Sequence, residues 1–132
     1  MPWDTSLLRG KTILIADDDP LILELYGKKI ETLGAKAVTA IDGEDTLLKL
    51  GQENVDAILL DIRMPKMNGY EVLRKIKEDP RTKDIPVLIF TSLESHPEYP
   101  EKVIGVKVEE FIIKSNVLPD DVMQKIASHL KK

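Results

Sequence analysis

Asp56-Ala57-Ile58-Leu59-Leu60-Asp61-Ile62-Arg63-Met64-Pro65 is the stretch that decides the fold. Four apolar residues run between two aspartates, and Met64-Pro65 followed by Asn68-Gly69 marks an exposed loop before the next helix. A continuous apolar run of this length, bounded by turn-forming residues, reads as a strand buried on both faces. Asp61 then stands where the strand reaches solvent. Taken alone, that position suits a turn-forming aspartate at a strand end. What the other strands deliver to their own ends shifts the balance.

Upstream, Lys11 to Ala16 is a β-rich apolar run that ends in Asp17-Asp18-Asp19-Pro20. Asp19 before Pro20 is a helix start, an acceptor at the N-cap and a proline whose φ suits the first turn. The helix sets Ile22, Tyr26, Ile30 and Leu33 on one stripe, with Leu25 beside it, and Gly34 ends it. Lys36 to Ile41 is a second strand, and Asp42-Gly43 turns into a helix carrying Leu47 and Leu50. Downstream, Asn68 is expected to cap a helix with Val72, Leu73 and Ile76 inward, broken by Asp79-Pro80. Pro86 to Phe90 is a fourth strand ending in Thr91-Ser92, and Glu110 to Ile113 a fifth ending in Lys114-Ser115-Asn116. The last helix, from about Pro119, spaces Val122, Ile126 and Leu130 four apart. Between Thr91 and Phe111, Pro97 and Pro100 leave only Glu101 to Ile104 before Gly105, so the fourth helix should be short or irregular.

Strands that are continuously apolar and alternate with helices imply an α/β fold: a doubly wound, five-stranded parallel sheet with helices on both faces. Right-handed crossovers make the flavodoxin-like order 2-1-3-4-5 the leading topology.

The 132 residues suffice for one domain burying about 68% of the surface its unfolded chain exposes. Apolar residues at 42% and charged residues at 32% fit a globular protein rather than a disordered one. A net charge of −4 argues against non-specific binding to nucleic acid or to an anionic membrane. The chain has no cysteine, which excludes disulfides and thiolate metal sites and points to a reducing, cytoplasmic home. No secretory signal opens it, and no apolar run approaches the roughly 18 residues that span a bilayer. Residues 1–10 read as a loose leader before a domain of residues 11–132, with Trp3 either packing on that domain or touching a partner.

In a doubly wound sheet, ligands bind beyond the carboxyl ends of the strands. Those ends carry Asp17 and Asp18, Asp61, Thr91 and Lys114. Carboxylates gathered at one edge repel, and a divalent cation relieves that. Oxygen donors without His or Cys select Mg²⁺, with Mn²⁺ an alternative. Thr91 can donate to a phosphoryl oxygen and Lys114 can neutralise another. Each residue alone has a bland reading as turn, cap or edge cation. Four strand ends carrying compatible chemistry do not.

As a set, Ile-Leu-Ile-Ala-Asp-Asp-Asp-Pro, Asp61-Ile-Arg-Met-Pro with Asn68-Gly69, Pro-Val-Leu-Ile-Phe-Thr91 and Phe111-Ile-Ile-Lys114 resemble the receiver domain of bacterial two-component response regulators, over roughly Thr12 to Leu130. The resemblance implies that Asp61 is the phosphoacceptor. It implies Mg²⁺ held by Asp18 directly, by Asp17 mostly through water, by Asp61 and by the Arg63 carbonyl. Lys114 would pair with the phosphoryl group, Thr91 would be the switch residue, and Phe111 the aromatic that turns inward with it. A sensor histidine kinase or phosphotransfer protein would be the donor, with a downstream protein partner, no direct nucleic-acid or membrane contact, and a monomer or weak dimer. No turnover is implied beyond self-phosphorylation and autodephosphorylation.

The chain departs from the family pattern at Ser115, where a proline following a cis bond is usual, at Ser92 in place of alanine, and at Lys107 where glycine is usual. A stand-alone phospho-switch is the leading expectation, since the chain stops after the last helix. A receiver-like scaffold acting by phosphorylation-independent contacts is the alternative. An Asp-x-Asp phosphatase is disfavoured because Arg63 stands where the second Asp would be, and a flavin protein because no phosphate loop follows the first strand.

Overall fold

The computed structural model describes residues 3–64, 67, 69–92 and 108–130. Five parallel strands form one sheet: β1 (Thr12–Ala16), β2 (Lys36–Ala40), β3 (Ala57–Leu60), β4 (Val87–Thr91) and β5 (Glu110–Ile113). Their spatial order is β2-β1-β3-β4-β5, as the sequence pattern implies. The helices are α1 (Pro20–Thr32), α2 (Gly43–Gln52), α3 (Gly69–Glu78) and α4 (Pro119–His129). The expected short helix between β4 and β5, Asn68, and the positions Pro97, Pro100, Gly105 and Lys107 lie outside the described residues.

Side chains alternate between faces along each strand, so each strand feeds two cores. Ile13 and Ile15 of β1 join Leu59, Leu88, Phe90 and Ile112 on one face, under Tyr26 and Ile30 of α1 and Val122, Met123 and Ile126 of α4. Leu14, Ile58, Leu60 and Ile89 form the other face, under Val72, Leu73 and Ile76 of α3, with Leu47 and Leu50 of α2 packed at its edge. The inner strands β1, β3 and β4 are buried almost throughout, while β2 and β5 at the edges are partly exposed. Leu25, beside the inward stripe of α1, is 51% exposed. Its position falls just outside the arc that α1 turns to the sheet.

The caps follow the sequence signals. The Asp19 carboxylate accepts from Leu21 N–H at 3.0 Å, with Pro20 at the first helical position. Asp42 accepts from Asp45 N–H at 2.8 Å. Gly34, with φ +89°, turns the chain out of α1 in a conformation that other residues adopt at a cost. Gly69 is required for another reason: a Cβ there would stand 2.2 Å from the Ile62 Cα. That contact lets α3 start directly beneath the Asp61 loop, where Gly69 N–H donates to the Ile62 carbonyl at 3.0 Å.

The residues read as a loose leader are packed. Asp4 caps a turn of 3-10 helix over Thr5–Leu8. Leu8 is 0% exposed in the core under α1 and α4, and Trp3 and Leu7 pack against the same cluster. Two adjacent leucines carry no periodicity, which is why pattern reading passes over them. Among the described residues no helix is long and apolar enough to cross a membrane.

Leu8→Ala should therefore destabilise the protein by about 2–4 kcal/mol, as a core leucine does, measured by urea unfolding. A change within about 0.5 kcal/mol, typical of a surface site, would place the segment outside the folded unit.

Candidate functional site

The site is built at the carboxyl ends of β1, β3, β4 and β5. Asp17 N–H donates to the Ala40 carbonyl at 3.0 Å and Asp61 N–H to the Ala16 carbonyl at 2.9 Å, so both continue the sheet's bonding one residue past their strands. Both side chains are buried, Asp17 1% and Asp61 5% exposed, while Asp18 is exposed. One oxygen from each of Asp17, Asp18 and Asp61 falls in a group whose members all lie within 4.8 Å of one another. Lys114, from the turn of 3-10 helix after β5, points into it. Its Nζ is 2.6 Å from Asp17 Oδ2 and 3.0 Å from Asp61 Oδ2.

The remaining oxygens of the buried pair are also held. Asp19 N–H donates to Asp17 Oδ1 at 2.9 Å, and Arg63 N–H to Asp61 Oδ1 at 2.9 Å. Each carboxylate thus presents one oxygen to the backbone and one to the ammonium. The arrangement orients both groups without freezing out a third partner, since every carboxylate oxygen has two lone pairs.

Burial raises the Asp17 pKa above its ordinary 3.8, and the Asp61 charge adds to this, against the bonds from Lys114 and Asp19. Burial alone would lower the Lys114 pKa, but bonding to Asp17 and the charge and bond of Asp61 outweigh it, so the ammonium titrates above 10.5. Lys114 is therefore charged at neutral pH, and one ammonium faces three carboxyl groups. An excess of negative charge in a pocket of oxygen donors is the environment a hard divalent cation fits.

Thr91, the last residue of β4, is fully buried and paired in register with Ile113. Phe111 is half-buried and packs on the opposite face from Phe90, against the cluster containing Val108 and Ile89. Arg63 is exposed. No peptide among the described residues is cis, so the Lys114–Ser115 bond is trans. The sequence reading missed Phe90 and Tyr26: the Lys114 Nζ lies over the Phe90 ring, 5.5 Å from its centroid, and Tyr26 meets that ring edge-on at 5.1 Å. A cavity lined by Lys11, Val55, Asp56, Arg81 and Pro86 lies at the opposite, amino-terminal end of the strands, away from this chemistry.

A model of the response regulator receiver domain matches residues 13–127. The chain belongs to that family. The receiver domain resembles the gliding motility regulatory protein of Myxococcus xanthus, 31% identical over 114 residues that make up 86% of this chain and 14% of that protein. Among solved structures it resembles chemotaxis response regulator CheY4 of Vibrio cholerae, with TM-score 0.82 and 25% identity over 92% of this chain and 99% of that one. It also resembles response regulator TrrA of Thermotoga maritima, solved in complex with Mg²⁺-BeF, with TM-score 0.77 and 31% identity over 91% of this chain and 99% of that one. The receiver domain spans about half or less of the length of the curated relatives it matches.

Asp17 generates a pH test. A carboxyl whose folded pKa exceeds its unfolded value binds its proton more tightly when folded, so its contribution to stability is full below about 3.8 and is lost as pH rises through the folded value. Urea unfolding without divalent cations, run from pH 4 to pH 7, should show wild-type stability falling relative to Asp17→Asn as pH rises. A difference that is flat or grows with pH would contradict the desolvated Asp17.

Proposed function

We propose that this receiver domain is a phosphorylation-driven switch in which Asp61 takes a phosphoryl group from a sensor histidine kinase or phosphotransfer protein. The observation that carries the reading is the convergence of three carboxyl groups and one ammonium from three separate strand ends. The strand order supports Asp61 as the acceptor that the family resemblance implies. β3 lies between β1, which brings Asp17 and Asp18, and β4, which brings Thr91, so only Asp61 is flanked by both sets.

Asp18, with Asp17, Asp61 and the Arg63 carbonyl, would hold Mg²⁺, which supplies positive charge for the phosphoryl oxygens. That the Thermotoga relative was solved in complex with Mg²⁺-BeF supports Mg²⁺ as the ion. The backbone N–H of Arg63 fixes one Asp61 oxygen and leaves the other on the side of Lys114. That oxygen attacks phosphorus, and the donor's P–N bond breaks with its electron pair leaving on the imidazole. Lys114 meets the charge that spreads over the transferring oxygens, which is where fixed positive groups act most strongly.

The product carries about −1.5 to −2 of charge where a carboxylate stood. Thr91 then closes on the phosphoryl group and Phe111 fills the space it leaves, changing the surface near β5 that a downstream protein reads. The protein works in the cytoplasm as a monomer or weak dimer, with residues 11–132 as the receiver unit and the Leu8 segment packed onto its core, and turns over no substrate beyond its own phosphoryl group.

Incubation with Mg²⁺ and acetyl phosphate, followed by intact-mass spectrometry, should add one phosphoryl group to the wild type and none to Asp61→Asn. Lys114→Met should slow the gain by about 100-fold or more. Equal labelling of Asp61→Asn would overturn the assignment.

A further inference from the structure

The Lys114 ammonium has a third neighbour besides the two carboxylates. β5 is not adjacent to β3: β4 lies between them, so the distance from β5 to β3 is two strand spacings, about 10 Å. The Lys114 side chain must therefore cross the end of β4. Phe90 pairs in register with Ile112, and Lys114 follows Ile112 by two residues, which brings the ring beneath the crossing stem. Phe90 is 2% exposed, and the ammonium lies over its face at 5.5 Å from the centroid. That is within the roughly 6 Å at which a ring's negative face attracts a cation.

The ring is itself held. Tyr26 of α1, 3% exposed, meets it at 69° with centroids 5.1 Å apart, the edge-to-face geometry that aromatic pairs favour. A lysine stem carries much rotamer freedom, and its compact charge aims poorly without a fixed surround. During phosphoryl transfer Asp61 changes from a carboxylate to an acyl phosphate, so one of the two anionic holds on Lys114 changes in the reaction. The ring does not change.

We propose that Phe90, backed by Tyr26, is a positioning residue for phosphoryl transfer: the ring guides the Lys114 ammonium across β4 and keeps it aimed at Asp61 while the charge there changes. This rests on the reading of Asp61 as acceptor. The competing role for Phe90 is that of core filler between α1 and the sheet, and coupling to Lys114 separates the two.

The test is a double-mutant cycle on the full chain, reading the rate of phosphorylation by acetyl phosphate at saturating Mg²⁺. Phe90→Leu should slow the wild type by about three- to tenfold. In the Lys114→Met background the same substitution should leave the rate unchanged. Tyr26→Leu should show a smaller loss with the same dependence on Lys114, whereas Tyr26→Phe, which keeps the ring, should retain the wild-type rate. Should Phe90→Leu fail to fold, the two Tyr26 variants decide. A cation-free readout accompanies them: the coupling between Phe90→Leu and Lys114→Met in urea unfolding should be nonzero. Equal losses in both backgrounds, no loss in the wild-type background, or Tyr26→Phe as slow as Tyr26→Leu would overturn the proposal. A wild type that takes no label, or an Asp61→Asn variant that does, would instead sink the functional reading beneath it.

Discussion

One ammonium group ties three strands together at the working edge of this sheet. Lys114 leaves the end of β5, passes the end of β4, and reaches Asp61 beyond β3 and Asp17 beyond β1. The contacts span 97 and 53 residues of sequence, so they exist only when the sheet is assembled in its observed order. Much else in the fold serves this meeting. The apolar runs of β1, β3 and β4 bury their strands on both faces, and parallel pairing of β3 with both β1 and β4 fixes the register of the strand ends. Gly69 brings α3 against the loop that carries Asp61.

The cluster is a poor way to stabilise a protein. Burying ions costs several kcal/mol each, and the Coulomb attraction repays it only where geometry and hydrogen bonding are complete. Here the account is left open on one side. The raised pKa of Asp17 shows a carboxyl that burial has penalised beyond what Lys114 and a backbone N–H offset. The exposed Asp18 adds further negative charge to the same few ångströms. In the proposed function, that excess of negative charge is what a divalent cation would offset at this edge.

Much of this was legible in the sequence because parallel topology dictates it. Once five apolar runs separated by helical segments imply a parallel sheet, their carboxyl ends must lie at one edge, and reading the residues there assembles Asp17, Asp18, Asp61, Thr91 and Lys114 without coordinates. Residues with two roles were less visible. Phe90 looks like any core phenylalanine in a strand, and only the crossing of β4 by Lys114 makes its ring part of the site. Tyr26 sits on the expected inward stripe of α1, and periodicity says nothing of the ring it meets. Leu8 was passed over because a pair of leucines among polar residues has no period, although the fold leaves a gap under α1 and α4 that it fills.

The most direct measurement is a crystal structure of the protein with Mg²⁺ and beryllofluoride bound. Beryllium should be joined to an Asp61 oxygen, the magnesium ion shared by Asp18 and Asp61, and the Lys114 ammonium placed on a fluoride while still over the Phe90 ring. Beryllofluoride on another side chain, or Lys114 turned out to solvent with the ion bound, would contradict this arrangement.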